Sequence, residues 1–360
     1  MTTLLIAGGG TGGHIYPAIA IAGEYVRRDP ARRVVFVGTE KGLEKQIVPK
    51  AGFPLEFIDV GGLKGKGGLD LIRNILRVPK GFVQAWRLIG KHRPDVVLGV
   101  GGYSSGPVLV AAKLRGVPTI IHEANAFPGL ANRVVARFVT AVAVAFDEAL
   151  PRLKRKDGVV TGNPIRQEFF EATREQPAGD LKRLLIFGGS QGSRILNDTM
   201  TGALQFLAPL QRTLEIVHQT GPAELEKVQI AYRQSAFPGA RVVPYLDPIV
   251  DEIANADLVV CRAGAMTIGE LCAIGRGAVL VPFAAATNNH QELNARVVER
   301  AGGAVVITES GLSPEQLASA VTEILSDPER AARMGGAAKT LALPLATKNI
   351  VDLIDKIERN

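Results

Sequence analysis

Residues 4–13 read LLIAGGGTGG, and residues 184–193 read LLIFGGSQGS. Each is an apolar run passed through a glycine turn into a helically periodic stretch, so one structural plan begins twice in the chain. The echo continues, with DVVLGVGG from Asp95 returning as DLVVCRAG from Asp257, and RGVPTIIHE from Arg115 as GRGAVLVPF from Gly275. Short β-branched runs at 34–37, 96–98, 119–121, 184–187, 258–260 and 279–281 alternate with helical patterns. Continuous apolarity of this kind belongs to parallel strands covered on both faces. The expected fold class is therefore α/β, with two doubly wound Rossmann-like domains. At 360 residues the chain exceeds the roughly 250–300 at which a single core stops growing. The turn-rich TGNPIR at 161–166 marks the boundary, giving domains 1–163 and 164–344. On periodicity alone, the last helical pattern, 350–357, fits either half.

Ligands of such sheets bind beyond the carboxyl ends of the strands, so the glycine turns are expected to floor a cleft between the domains. Five glycines in GGGTGGH (8–14) are costly to order, and a ligand resting on bare backbone would account for them. Gly8, Gly10 and Gly13 satisfy G-x-G-x-x-G. A dinucleotide site, however, wants an acid at the end of the second strand, and here 34–37 is followed by Gly38-Thr39, with Glu40 late. His14 opens a helix, whose dipole lowers an imidazole pKa from about 6.5 and keeps the ring neutral, as a general base requires. Capping or packing is the plainer role for such a residue. GGYSSGP (101–107) adds Tyr103 on the same rim, and HEANAFPG (122–129) adds His122, Glu123 and Asn125. In the second half CRAGAMTIGE (261–270) opens a helix whose free N–H groups suit a phosphate, with Glu270 one turn in and suited to a ribose diol. TNNHQELN (287–294) offers side-chain amides and His290 for sugar hydroxyl and acetamido groups. There is no D-x-D, so no metal and no cofactor are expected, and the helix terminus is left to stabilise a leaving diphosphate.

Charge is concentrated in one place. Residues 62–94 carry eight basic residues (Lys64, Lys66, Arg73, Arg77, Lys80, Arg87, Lys91 and Arg93) against Asp70 alone, which equals the whole net charge of +7. Leu69, Ile72, Ile75, Leu76, Phe82, Val83 and Trp86 are interleaved with them at helical spacing. That mixture fits an anionic membrane surface better than nucleic acid. No apolar run reaches spanning length and no signal-type segment opens the chain, so a cytoplasmic protein is expected. The two cysteines, Cys261 and Cys272, lack metal-ligand or C-x-x-C spacing and read as small buried hydrophobes.

GGTGGH, GVGGYSSGP, HEANAFPG, TGNPIR, GGSQGSRILN and CRAGAMTIGE…NNHQELNA follow one another over nearly the whole chain. In this order they resemble the MurG family of bacterial transferases, which move N-acetylglucosamine from its UDP ester onto lipid-linked muramyl-pentapeptide. The resemblance implies the GT-B architecture, with the C-terminal helix (345–360) packing back on the first domain. It implies an inverting transfer to the C4 hydroxyl of the muramyl sugar, converting lipid I to lipid II on the cytoplasmic face of the membrane. Carried over by position, it places Thr11, Gly12, Gly13, Asn125, Arg166, Ser190, Ala263, Gly264, Ala265, Met266, Thr267, Glu270 and Gln291 around the UDP-sugar, with Leu246 near the uracil. His14, Tyr103, His122 and Glu123 fall on the acceptor side, with His14 and Glu123 as the rival bases. A UDP-sugar epimerase of the same architecture, or a non-catalytic peripheral membrane protein, are the competing readings.

Overall fold

The computed structural model describes residues 2–61, 68–174 and 181–359, with side chains in the helix 68–92 described from Pro79 onward. The chain divides into two units, Met1–Ile165 with Leu345–Asn360, and Arg166–Pro344. In chain order the first unit comprises β1 (Thr3–Gly8), α1 (Gly12–Arg28), β2 (Arg33–Gly38), α2 (Glu44–Lys50), β3 (Leu55–Phe57), α3 (Gly68–His92) and β4 (Val96–Gly101). It continues with α4 (Ser105–Leu114), β5 (Thr119–Glu123), α5 (Leu130–Val135), β6 (Ala141–Val144), α6 (Ala149–Leu153) and β7 (Val159–Val160). The second unit begins with α7 (Glu168–Glu171), β8 (Lys182–Phe187), α8 (Arg194–Leu207), β9 (Leu214–Gln219), α9 (Leu225–Arg233), β10 (Arg241–Val243) and α10 (Ile249–Asn255). It closes with β11 (Leu258–Cys261), α11 (Ala265–Ile274), β12 (Ala278–Leu280), α12 (His290–Arg300), β13 (Ala304–Val306), α13 (Pro314–Leu325) and α14 (Pro328–Lys339), after which α15 (Ala346–Glu358) rejoins the first unit.

The period of two along β1 builds two layers at once. Leu4 and Ile6 join the core beneath α1 and α15, while Leu5 and Ala7 join the core beneath α3 and α4. A strand covered on both faces has no polar side, which is why these runs read as unbroken apolar stretches. Leu184 and Ile186 of β8 play the same part in the second unit, against α8, α9 and α13.

Both sheets are parallel throughout, in the orders β3-β2-β1-β4-β5-β6-β7 and β10-β9-β8-β11-β12-β13. Strand order reverses between β1 and β4 in the first sheet and between β8 and β11 in the second. The loops that leave these strands meet there, at the strand carboxyl ends where sheets of this kind bind ligands. Those loops are GGGTGGH and GGYSSGP in the first unit, GGSQGS and CRAG in the second. The folding of each half therefore brings its two glycine turns side by side at the switch point.

Helix α15 packs on α1 through Ile350, Val351, Ile354 and Ile357. Arg28 bridges Asp352 at 2.6 Å and Asp355 at 2.9 Å, Arg32 bridges Asp355 at 2.9 Å, and the Tyr25 hydroxyl donates to Glu358 at 2.6 Å. The end of the chain thus braces the helix whose start carries His14.

Candidate active site

The two glycine loops of the first unit pack backbone on backbone, and this accounts for part of their composition. A Cβ on Gly8 would strike the Val100 side chain, and one on Gly102, whose φ is +83°, would lie 3.0 Å from the Gly9 nitrogen. Gly10, with φ +92° and nothing within 4 Å of a Cβ position, and Gly13, approached only by Thr11 Oγ1 at 3.8 Å, instead leave open space over the backbone. Pro17 lies one turn into α1 and has no N–H to give the Gly13 carbonyl. The bare glycines thus divide, with Gly8 and Gly9 making room for protein and Gly10 and Gly13 facing outward.

His14 is the third residue of α1 and is half-buried, with Nδ1 out of contact with solvent. Its ring lies against Gly101, where a Cβ would sit 2.9 Å from Cε1 and 3.1 Å from Nδ1. Thr11, Gly13, Tyr16 and Tyr103 are exposed around it, the two tyrosines by more than half. Asn125 is partly exposed at the end of the neighbouring β5.

The remaining polar groups of HEANAFPG hold the loop together. Glu123 is buried, and its Oε1 accepts from the Asn125 N–H at 3.0 Å and Nδ2 at 3.2 Å. Its Oε2 accepts from the Gly129 N–H and from Asn132 Nδ2, both at 2.9 Å. With four donors on its two oxygens, this carboxylate is engaged in shaping the loop. His122 departs from its expected acceptor-facing place. It is 1% exposed, its Nε2 bonds the Gly162 carbonyl at 3.1 Å, and burial holds its pKa below the usual imidazole value. It pins the TGN turn to β5, and Asn163 does the same by donating to the Ala124 carbonyl at 3.0 Å.

Sequence reasoning missed Glu44. This carboxylate, 1% exposed, accepts from the Gly10 N–H at 2.8 Å, the Thr39 N–H at 2.8 Å and the Thr39 hydroxyl at 2.9 Å. Glu44 therefore turns onto the protein's own glycine loop and is not free to meet a ribose. The sequence signal for it is Gly38 and Gly42 on the approach to Glu44, although Glu40 lies between them.

In the second unit the loop 188–193 is braced by a buried polar chain. Tyr232 Oη and His218 Nδ1 lie 3.1 Å apart, His218 Nε2 and Asn197 Oδ1 3.1 Å apart, and Asn197 Nδ2 donates to the Thr220 carbonyl at 3.0 Å. Asn197 presents its oxygen to the ring, so the proton sits on Nε2 and the Tyr232 hydroxyl donates to Nδ1. Burial pushes His218 down to about 3, so the chain stays neutral in the physiological range. Thr220 in turn fills the space beside Gly192, and Gln219 Nε2 donates to the Gly189 carbonyl at 3.0 Å. Ser190 is exposed at the tip of the loop this chain supports.

Helix α11 begins after Gly264, whose lack of a side chain leaves its first turn without a side-chain cap, and that turn contains no acid. The N–H groups there suit an anion. Met266, Thr267 and Glu270 are partly buried along it. Burial raises the Glu270 carboxyl to about 7, with Arg166 pulling it down and Glu168 pushing it up. Arg166 itself is exposed, paired with Glu168 at 2.8 Å.

Around the CRAG turn, Arg262 bonds the Val281 and Pro282 carbonyls at 3.2 and 3.3 Å and pairs with Glu309 at 2.6 Å. Asn294, fully buried, donates to the Ala263 carbonyl at 3.4 Å. Gln291 Oε1 accepts the Phe283 N–H at 3.0 Å, which directs its amide nitrogen elsewhere, and His290 opens α12 beside it. Leu246 is buried, 6% exposed, so what it offers a ligand is backbone. Among the described residues no three His, Cys, Asp or Glu side chains are grouped to hold a metal ion.

Residues 4–144 match the glycosyltransferase family 28 N-terminal domain and residues 183–350 the glycosyltransferase family 28 C-terminal domain. A UDP-N-acetylglucosamine–N-acetylmuramyl-(pentapeptide) pyrophosphoryl-undecaprenol N-acetylglucosamine transferase of Myxococcus xanthus is 46% identical over 98% of this chain and 92% of its own length. The transferase of that name from Anaeromyxobacter sp. strain Fw109-5 is 48% identical over 99% and 93%. The crystal structure of Acinetobacter baumannii MurG superposes with a TM-score of 0.83 at 30% identity, covering 99% of this chain and 100% of that one. A UDP-GlcNAc 2-epimerase from Neisseria meningitidis shares the fold, with a TM-score of 0.69, but only 13% identity over 99% and 100% of the two chains. With both family 28 domains matched in order, and near full-length identity well above that of the epimerase, the chain belongs to glycosyltransferase family 28 and, within it, to the MurG transferases.

Proposed function

We propose that this chain transfers N-acetylglucosamine from UDP-N-acetylglucosamine to the C4 hydroxyl of undecaprenyl-pyrophosphoryl-N-acetylmuramyl-pentapeptide, with inversion, turning lipid I into lipid II. The observation that carries the reading is the 46–48% identity, over nearly the whole chain, to transferases named for that reaction. In the second unit the first turn of α11 takes the diphosphate, Glu270 the ribose hydroxyls, and Ser190 and Gln291 further polar groups of the donor. In the first unit Thr11, Gly12, Gly13, Tyr103 and Asn125 take the sugars. The acceptor oxygen attacks the anomeric carbon, its proton passes to His14 Nε2, and the bond from that carbon to the diphosphate breaks to release UDP. Because the diphosphate leaves as an anion held by helix N–H groups, one base suffices and no strong acid is needed. Radiolabelled UDP-N-acetylglucosamine incubated with lipid I should deliver label to the lipid phase. Label that stays in a water-soluble sugar nucleotide of altered configuration would mean an epimerase, and no conversion at all a binding protein.

The same reading places the enzyme as a peripheral protein on the anionic cytoplasmic face of the membrane, through residues 62–94, with no role for nucleic acid. Among the described residues no helix is long and apolar enough to cross a membrane. Residues 62–67, with Lys64 and Lys66, lie outside the described residues, as do the side chains of Arg73 and Arg77. On the described part of α3, Val83 and Trp86 are exposed, and Arg115 stacks over the Trp86 ring at 4.2 Å. Phe82 packs against the core instead of standing free beside them. Lys80 and Lys91 pair with Asp59 and Glu56, so the patch is less positive than its sequence count. Each unpaired Lys or Arg near an anionic surface contributes about 1 kcal/mol. Binding to anionic vesicles should therefore fall with salt and with Arg73→Glu plus Arg77→Glu, and should fall with Trp86→Ala in a salt-independent way, while donor binding is unchanged. Equal binding to neutral and anionic vesicles would remove the electrostatic part.

A further inference from the structure

Three glycines of the first unit surround a single carboxyl group. A Cβ on Gly9, Gly38 or Gly42 would in each case fall on the Glu44 side chain, which is 1% exposed. The two oxygens divide their work, Oε2 to the Gly10 N–H at 2.8 Å, Oε1 to the N–H and hydroxyl of Thr39 at 2.8 and 2.9 Å. Glu44 thus ties the loop that leaves β1 to the loop that leaves β2, from the inner side. Nothing approaches a Cβ position on Gly10 within 4 Å, so the outer side stays open. The Gly10 N–H, the kind of donor a phosphate takes in a nucleotide-binding turn, is already bound to an internal anion. Two residues further on α1 begins, and two beyond that stands His14.

We infer that Glu44 is a positioning residue for sugar transfer, an internal anion that fixes the glycine loop and with it the start of α1 and the place of His14. The inference rests on the transferase reading above, but its physical content is the clamp. A carboxylate fits where an amide does not, because both of its oxygens accept while every group facing it donates. Displacement of a catalytic group by about 1 Å can cost on the order of 10²-fold in rate.

The test is steady-state kinetics of the full chain with UDP-N-acetylglucosamine and lipid I, for Glu44→Ala and Glu44→Gln, alongside hydrogen exchange at the Gly10 and Thr39 amides. For Glu44→Ala we expect kcat to fall by about 10–100-fold with little change in donor KM, and both amides to exchange faster. Formate, which fits the vacated space, should restore protection at both amides and part of kcat in a saturable way. Glu44→Gln keeps the volume and leaves no room for formate, so its loss should be partial and not rescued. A purely structural glutamate would lower stability without this formate response. Glu44→Ala within twofold of wild-type kcat, or with both amides still protected, overturns the inference. So does formate stimulation of equal size in His14→Ala. Should Glu44→Ala fail to fold, a wild-type kcat in Glu44→Gln overturns it. If His14→Ala proves fully active, the choice of base fails, while the exchange and formate response of Glu44→Ala still decide the clamp.

Discussion

Replacing His14 with alanine should lower kcat by about 10²–10⁴-fold, the usual worth of a general base, and leave donor affinity near that of the wild type. The reasoning is one of elimination among groups at the carboxyl ends of β1, β4 and β5. His122 is buried, with Nε2 on the Gly162 carbonyl, so it cannot meet an acceptor hydroxyl without breaking the TGN turn from β5. Glu123 has four donors on its two oxygens, and protonating it would break contacts that shape the loop 124–129. His14 alone is half-buried, next to exposed Thr11 and Gly13, with a ring seated in space that Gly101 leaves. It stands in the first turn of α1, directly after the open backbone of Gly13. Glu123→Gln should behave differently, losing thermal stability by about 1–3 kcal/mol as loop donors lose a partner, with a smaller loss of kcat. The deciding measurement is the pH–rate profile. If His14→Ala keeps the acid limb of the wild-type profile, the base lies elsewhere.

The parts of this architecture that a sequence displays are those whose cause is local. An apolar run long enough to be buried on two faces, followed by glycines, identifies β1, β4, β8 and β11 with their loops, and the repeat shows that the plan occurs twice. What stays hidden is the partner each loop needs from far along the chain. Glu44 sits in GLEKQIV, which reads as the solvated start of a helix, yet it reaches back 34 residues to Gly10. Asn132, Asn163, Asn197 and His218 are similar cases, polar residues whose burial is visible only once β-strands distant in sequence lie side by side. They carry no periodic or motif signal, because a buried polar group needs one well-placed partner and not a pattern. The glycine loops were legible as functional for a reason that proves only partly right. Gly10 and Gly13 are open to a ligand, but Gly8 and Gly9 are bare because Val100, Gly102 and Glu44 occupy that space. The attachment of α15 was illegible on pattern alone, since Arg28 and Asp352 are 324 residues apart and either end reads as an ordinary surface charge.

Donor binding should weaken as the pH falls through about 7, and Glu270 is the group that makes it do so. Burial raises this carboxyl to about 7, so in the free protein it is about half protonated at neutral pH. In the proposed site the ribose hydroxyls would donate to this carboxyl, and the ionised form, with acceptors only, would bind them better. From pH 8 to pH 6, affinity for UDP-N-acetylglucosamine should drop by up to roughly tenfold. The sugar nucleotide is the right probe, because its diphosphate has no terminal phosphate to titrate in that range. Glu270→Gln should bind it more weakly at pH 8, by about 1–3 kcal/mol, and without the pH dependence. Stability should move the other way. A carboxyl whose folded pKa lies above its unfolded value of 4.5 binds more protons when folded, so its contribution is full below 4.5 and is lost as the pH rises through about 7. The whole effect is at most about 3 kcal/mol. The ligand-free Glu270→Gln protein should therefore melt above the wild type at pH 8 and close to it at pH 4.5, even as it loses donor affinity. That crossing of stability and binding is what a carboxylate kept in an unfavourable place for its ligand produces. Calorimetric titration showing an unchanged pH slope in Glu270→Gln, or melting curves at pH 8 that place the variant below the wild type, would assign the ribose to another residue.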